Sequence, residues 1–143
     1  MSEETESVHL MTMVVTRLCL LVKMQLNQEF ISQQFKILRG LYQLCKFRSS
    51  DLIALYIYLD RLTLTFITTM DGVFPSCLLL CLVCLYQKMY EDEFYGNGFY
   101  ANWSGLSVID MHKTEVVLLR FIPFYISRQE YEFYCNYVIN SDL

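Results

Sequence analysis

The chain has 143 residues, enough for one domain whose core needs no disulfide or metal to hold it. It is 55% apolar and 18% charged, with 5 Gly and 2 Pro, which excludes a sheet-and-turn protein rich in breakers and favours long helices. The formal charge of −4 excludes the basic footprint that nucleic-acid binding needs, so no nucleic-acid partner is expected.

The first eight or so residues, opening Met1-Ser2-Glu3-Glu4-Thr5-Glu6, read as a disordered tail, acidic where a secretory leader is basic. His9 to Gln28 reads as an apolar helix carrying Arg17 and Lys23. Ser32 is the expected cap of a second helix that runs to about Cys45. Phe35, Leu38, Leu41 and Tyr42 form its apolar face. Arg48-Ser49-Ser50-Asp51 is a turn and N-cap signal, followed by a long helix from about Asp51 to Thr69. That helix has Leu52, Leu55, Leu59, Leu62 and Phe66 in register, with Ile53, Ile57 and Leu64 on its other face. A helix apolar all round belongs in the middle of a bundle.

Asp71-Gly72 is the expected end of that helix, and Pro75 suits the first turn of the next, which runs to about Lys88 or Met89. Cys77 to Tyr86 makes this helix apolar on most sides as well. A polar and aromatic connection follows from Tyr90 to Gly105, with room for a short helix. Ser107 is the expected cap of another helix, with Asp110 favoured at its positive end and Pro123 near its finish. Ser127 is the expected cap of a last amphipathic helix in which Tyr131, Tyr134 and Val138 share a face. The fold class is therefore all-α: a bundle of two central helices sheathed by amphipathic ones.

Six cysteines, at 19, 45, 77, 81, 84 and 135, read as buried thiols in a reducing compartment, cytoplasmic and/or nuclear, since a disulfide framework belongs to small secreted chains. The spacing Cys77-x-x-x-Cys81-x-x-Cys84 coincides with that of radical iron–sulfur enzymes. The residues between are Leu and Val, however, on one stripe of a core helix. His9 and His112 are isolated, so no metal and no other cofactor is expected. There is no P-loop and no nucleophile elbow, and Glu91-Asp92-Glu93 reads as a solvated loop rather than an acid–base site. No enzyme is expected. Asp60 is different, because a carboxylate inside an apolar helix is costly unless paired. Arg39, midway along the preceding helix, is its expected partner, while Arg61 points to the rim.

These residues fall into an ordered series: Arg39, then Tyr58-Leu59-Asp60-Arg61, Tyr86-Gln87-Lys88, Glu91-Asp92-Glu93-Phe94-Tyr95-Gly96-Asn97, Ser104-Gly105-Leu106-Ser107, and Glu115 eight residues after Ser107. The series resembles the cyclin box, most closely the P/U-type cyclins of fungi, plants and protists, related to the fungal phosphate-pathway cyclin. The stretch from Lys88 to Glu115 matches that family's spacing without a gap, and the resemblance spans residues 31–122. Three departures stand out. Tyr86 and Gln87 replace the small residues usual before the Lys, Ser104 replaces the first Gly of a Gly-Gly pair, and the loop between Arg39 and Asp60 is one residue longer.

The resemblance implies a single cyclin-box helical bundle with flanking helices. An acidic tail and flanking helix would occupy 1–30, the box 31–122 and a C-terminal helix 123–143. Arg39 and Asp60 would form a structural ion pair, and Lys88 and Glu115 would hold main-chain groups of a cyclin-dependent protein kinase. The implied function is a non-catalytic regulatory subunit that binds and activates that kinase. The alternatives are a non-activating cyclin-fold adaptor, or a small membrane protein using residues 62–86. Because Asp71-Gly72 and Pro75 split that segment below the roughly 20 residues of a spanning helix, no membrane partner is expected.

Overall fold

The computed structural model describes residues 2–63, 73–90 and 95–140. Among them are seven helices: α1 (Glu3–Leu21), α2 (Gln28–Leu44), α3 (Ser49–Leu62), α4 (Pro75–Tyr90), α5 (Asn97–Ser104), α6 (Val108–Phe121) and α7 (Arg128–Ile139). The all-α reading holds. The chain divides into two compact units, Met1–Asp60 with Tyr125–Leu143, and Arg61–Phe124.

In the first unit, α1 packs against α2 and α7. The acidic opening is not a tail. Ser2 caps α1 by accepting the Thr5 N–H at 3.1 Å, and Glu3, Glu4 and Glu6 sit in the first turn, where the helix dipole favours them. The helix also stops earlier than Gln28. Lys23 adopts φ 59°, and the Met24 N–H closes back on the Cys19 carbonyl at 2.9 Å, an αL stop normally signalled by Gly. Asn27, not Ser32, caps α2 by accepting the Phe30 N–H at 3.0 Å. Ser32 lies exposed one turn inside the helix.

At the start of α3, the Asp51 carboxylate accepts the Arg48 N–H at 2.8 Å, the reaching-back half of a capping box. From Asp51 to Leu59 every residue of α3 is buried, as expected for a helix apolar all round. The expected continuation to Thr69 and the stop at Asp71-Gly72 lie outside the described residues. α7 is capped by Ser127 as read, and is tied to α1 where His9 Nε2 donates to the Val138 carbonyl at 2.9 Å.

The second unit is built on α4, which begins at Pro75 as expected and is buried without interruption from Cys77 to Leu85. It packs on α6, and α5 packs on α6 in turn. The Cys81 thiol donates to the Met111 carbonyl at 3.2 Å, and the buried Thr114 hydroxyl accepts the Phe74 N–H at 3.1 Å. Ser107 caps α6 by accepting the Asp110 N–H. The three α4 cysteines are buried free thiols, and burial pushes the thiols of Cys77 and Cys81 up, away from the thiolate that a metal ligand or nucleophile requires. Among the described residues no group of three or more His, Cys, Asp or Glu could hold a metal ion. No helix among them is long and apolar enough to cross a membrane. Glu91-Asp92-Glu93 lies outside the described residues.

Candidate partner-binding site

The most organised polar cluster on the second unit joins three helices. Lys88 stands in the last turn of α4, Asn97 opens α5, and Glu115 lies in the middle of α6. Lys88 Nζ donates to Glu115 Oε1 at 3.1 Å and to Asn97 Oδ1 at 3.3 Å, and Asn97 Nδ2 donates to Glu115 Oε2 at 2.8 Å. The ring is closed. Its carboxylate is the most buried part, with the Glu115 side chain 11% exposed against 32% for Lys88. A carboxylate at that depth needs both oxygens satisfied, and here each has its own donor.

Beside the ring, α6 carries a second apolar face. Met111, Thr114 and Leu118 point into the unit. Val108, Ile109, Val116 and Leu119 fall on the other side and are between 45% and 64% exposed. Glu115 lies at the seam between the two faces. Met89 and Tyr90 follow Lys88 on α4, both about half exposed, and the Tyr90 hydroxyl donates to the Phe124 carbonyl at 3.0 Å. An exposed apolar helix face edged by a satisfied charge pair can be covered by another protein without stranding a charge.

Lys88 and Glu115, which the resemblance joins only by their shared facing of a kinase, lie 3.1 Å apart and bond to each other. The expected ion pair does not form. Asp60 Oδ1 accepts from Arg17 Nη2 at 3.0 Å and Nε at 3.3 Å, and Asp60 Oδ2 accepts the Tyr134 hydroxyl. The expected Arg39–Asp60 pair is corrected: Arg39 lies exposed on α2, and Arg17 of α1 takes the place assigned to it. The physical reason is that α1 packs against α7, which carries Arg17 to the same carboxylate that Tyr134 reaches. Burial, followed by the Asp60 hydrogen bond, pushes the Tyr134 phenol well up. Neither Arg17 nor Asn97 stood out in the sequence. Arg17 looked like an ordinary helix charge, and Asn97 was only the last residue of a family segment with no role assigned to it. Arg61, expected at the rim, is half-buried and donates to the Pro123 carbonyl.

A family model described as Cyclin matches residues 9–126. The chain belongs to the cyclin family. Among curated proteins it is similar to Cyclin-U1-1 of Arabidopsis thaliana, 28% identical over 108 residues that cover 70% of this chain and 49% of that protein. The chain therefore spans about half the length of the curated relative it matches. No solved structure gives a significant match. The all-α architecture of the described residues is that expected of the cyclin fold.

Two departures from the usual cyclin pattern have local explanations. Gln87 is buried, but the fully buried Tyr100 of α5 donates its hydroxyl to Gln87 Oε1, so a polar residue replaces a small one without a stranded amide oxygen. The Gly-Gly pair needs only its second member in this cyclin. Gly105 is the αL cap of α5 at φ 77°, while Ser104 still belongs to the helix and accepts the Leu106 N–H at 3.2 Å.

Proposed function

We propose that this cyclin is the regulatory subunit of a cyclin-dependent protein kinase, docking through the exposed face of α6 with Lys88 and Glu115 as its polar anchors. The observation that carries the reading is the Lys88–Glu115 pair at 3.1 Å on the edge of the exposed stripe Val108, Ile109, Val116 and Leu119. The stripe supplies apolar area, on the order of 1.5–3 kcal/mol for each such side chain fully covered, and the charges fix register. The chain contributes no catalytic group. The kinase is the active partner, and docking sets its regulatory helix so that its own Lys–Glu pair forms. The proposed setting is the cytoplasm or nucleus, with neither membrane nor nucleic acid as partner.

The test is binding of the purified full chain to purified cyclin-dependent kinases, followed by phosphate transfer by the recovered complex. The wild type is expected to bind one of them and raise its activity. Lys88→Ala/Glu115→Ala is expected to weaken the complex by about 2 kcal/mol or more, roughly 30-fold. Equal binding by the double variant removes the interface assignment. A bound but inactive kinase makes the chain a non-activating adaptor.

A further inference from the structure

From the hydrogen-bond ring we infer that Asn97 is a positioning residue for the partner-binding pair, holding the Glu115 carboxylate in the one orientation that keeps the Lys88 ammonium at the surface. The inference rests on the kinase-subunit reading for its consequence, but not for its geometry. A carboxylate on a long side chain has a soft terminal torsion, so burial alone does not say which oxygen faces which neighbour. Here Asn97 Nδ2 takes Oε2 at 2.8 Å and leaves Oε1 to Lys88 at 3.1 Å. Asn97 Oδ1 also accepts from the same ammonium at 3.3 Å, so one side chain fixes both members of the pair. A side-chain amide suits this, since it presents a donor and an acceptor side by side.

The backbone under Asn97 is built to hold still. Asn97 is the first residue of α5, and three residues on, Tyr100 is fully buried and hydrogen-bonded to Gln87 of α4. Tyr95 stacks on Phe99 with centroids 4.3 Å apart, and both rings meet Tyr100 edge-on. The short helix is therefore pinned to α4 at the residue next to Lys88. Counting donors shows what remains for a partner. The ammonium has three protons, two of them spent inside the ring, and the Asn97 amide has two, one of them spent. One N–H on each stays available beside an exposed apolar face, with the carboxylate already satisfied.

The test has two arms on the full chain. In the isolated protein, the Lys88 side-chain ammonium is expected to give a slowly exchanging proton–nitrogen signal that Asn97→Ala abolishes while circular dichroism shows the chain still folded and helical. With the kinase recovered by the wild type, Asn97→Ala is expected to weaken binding about tenfold, and to add clearly less in a Glu115→Ala background, because most of its effect runs through that carboxylate. Asn97→Asp has the same shape but turns an acceptor toward Glu115, and is expected to lose at least as much. Persistence of the signal in Asn97→Ala, wild-type binding by Asn97→Asp, or a full further loss in the Glu115→Ala background each overturns the positioning role. Failure of the wild type to bind any cyclin-dependent kinase overturns the functional reading instead, and the ammonium signal still decides the role of Asn97.

Discussion

Replacing Arg17 with Met distinguishes the partner found for Asp60 from the one its sequence position suggests. Met keeps most of the aliphatic stem and removes the guanidinium, so packing is little changed while both hydrogen bonds to Asp60 Oδ1 are lost. Breaking a fully buried ion pair costs about 3–5 kcal/mol, and a fully exposed one about 0–1. With side chains 21% and 36% exposed, the Arg17–Asp60 pair lies between these limits. The Tyr134 hydroxyl still holds the other carboxylate oxygen after the change. A loss of about 2 kcal/mol follows, which for a chain of this size lowers the melting temperature by roughly 6 °C. Arg39→Met, at an exposed site, is expected to stay within about 0.5 kcal/mol. Asp60→Ala removes the acceptor for both partners and is expected to cost about 1 kcal/mol more than Arg17→Met. Thermal and denaturant unfolding of the three variants gives the comparison. Equal losses for Arg17→Met and Arg39→Met, or a neutral Arg17→Met, would refute the assignment.

Stability is expected to fall as pH rises above about 10, the ordinary tyrosine value, because burial pushes Tyr56 up to about 12 and Tyr134 higher still. Below that pH both phenols are protonated, folded or unfolded, and their contribution is complete. Above it the unfolded chain ionises first, and the folded state loses ground. Unfolding midpoints measured from pH 8 to 12 should show this fall, and Tyr134→Phe should make it shallower; a profile unchanged by Tyr134→Phe would count against it. Gly105→Ala is expected to cost about 1 kcal/mol through its φ of 77° alone, since a Cβ there meets nothing within 4 Å. Lys46→Gly, at φ 54°, should move stability the other way by about 0.5–1 kcal/mol.

Caps and breakers that use their customary residues were legible in the sequence. Pro75, Ser107 and Ser127 stand where they were expected, and α3 and α4 are buried on all sides as their composition demanded. One kind of miss has a plain cause. Where the chain uses an unusual residue for a usual conformation, periodicity gives no warning, as with the αL lysines 23 and 46 in positions that Gly normally fills. The acidic opening was misread for a related reason. Three glutamates look like a solvated tail by composition, yet in a first turn they stabilise the helix they begin.

The same contrast runs through the polar sites. A family spacing joins Lys88 and Glu115 in the sequence, but their bond to each other at 3.1 Å was not legible there. Arg17 lies 43 residues before Asp60 and Tyr134 lies 74 after it, so no local pattern links the three. Only the packing of the terminal helices does. Asn97 falls between these cases, since it is local enough to sit inside the matched segment, but its meaning depends on a ring that closes through three helices. On the kinase-subunit reading this closure matters energetically. A lone lysine beside the stripe from Val108 to Leu119 would have to be stripped of water to let a partner cover that stripe, and a lone buried glutamate would cost more. Paired and held by Asn97, the two charges are largely compensated before any partner arrives. Docking then has to desolvate little more than the apolar face and the remaining N–H groups.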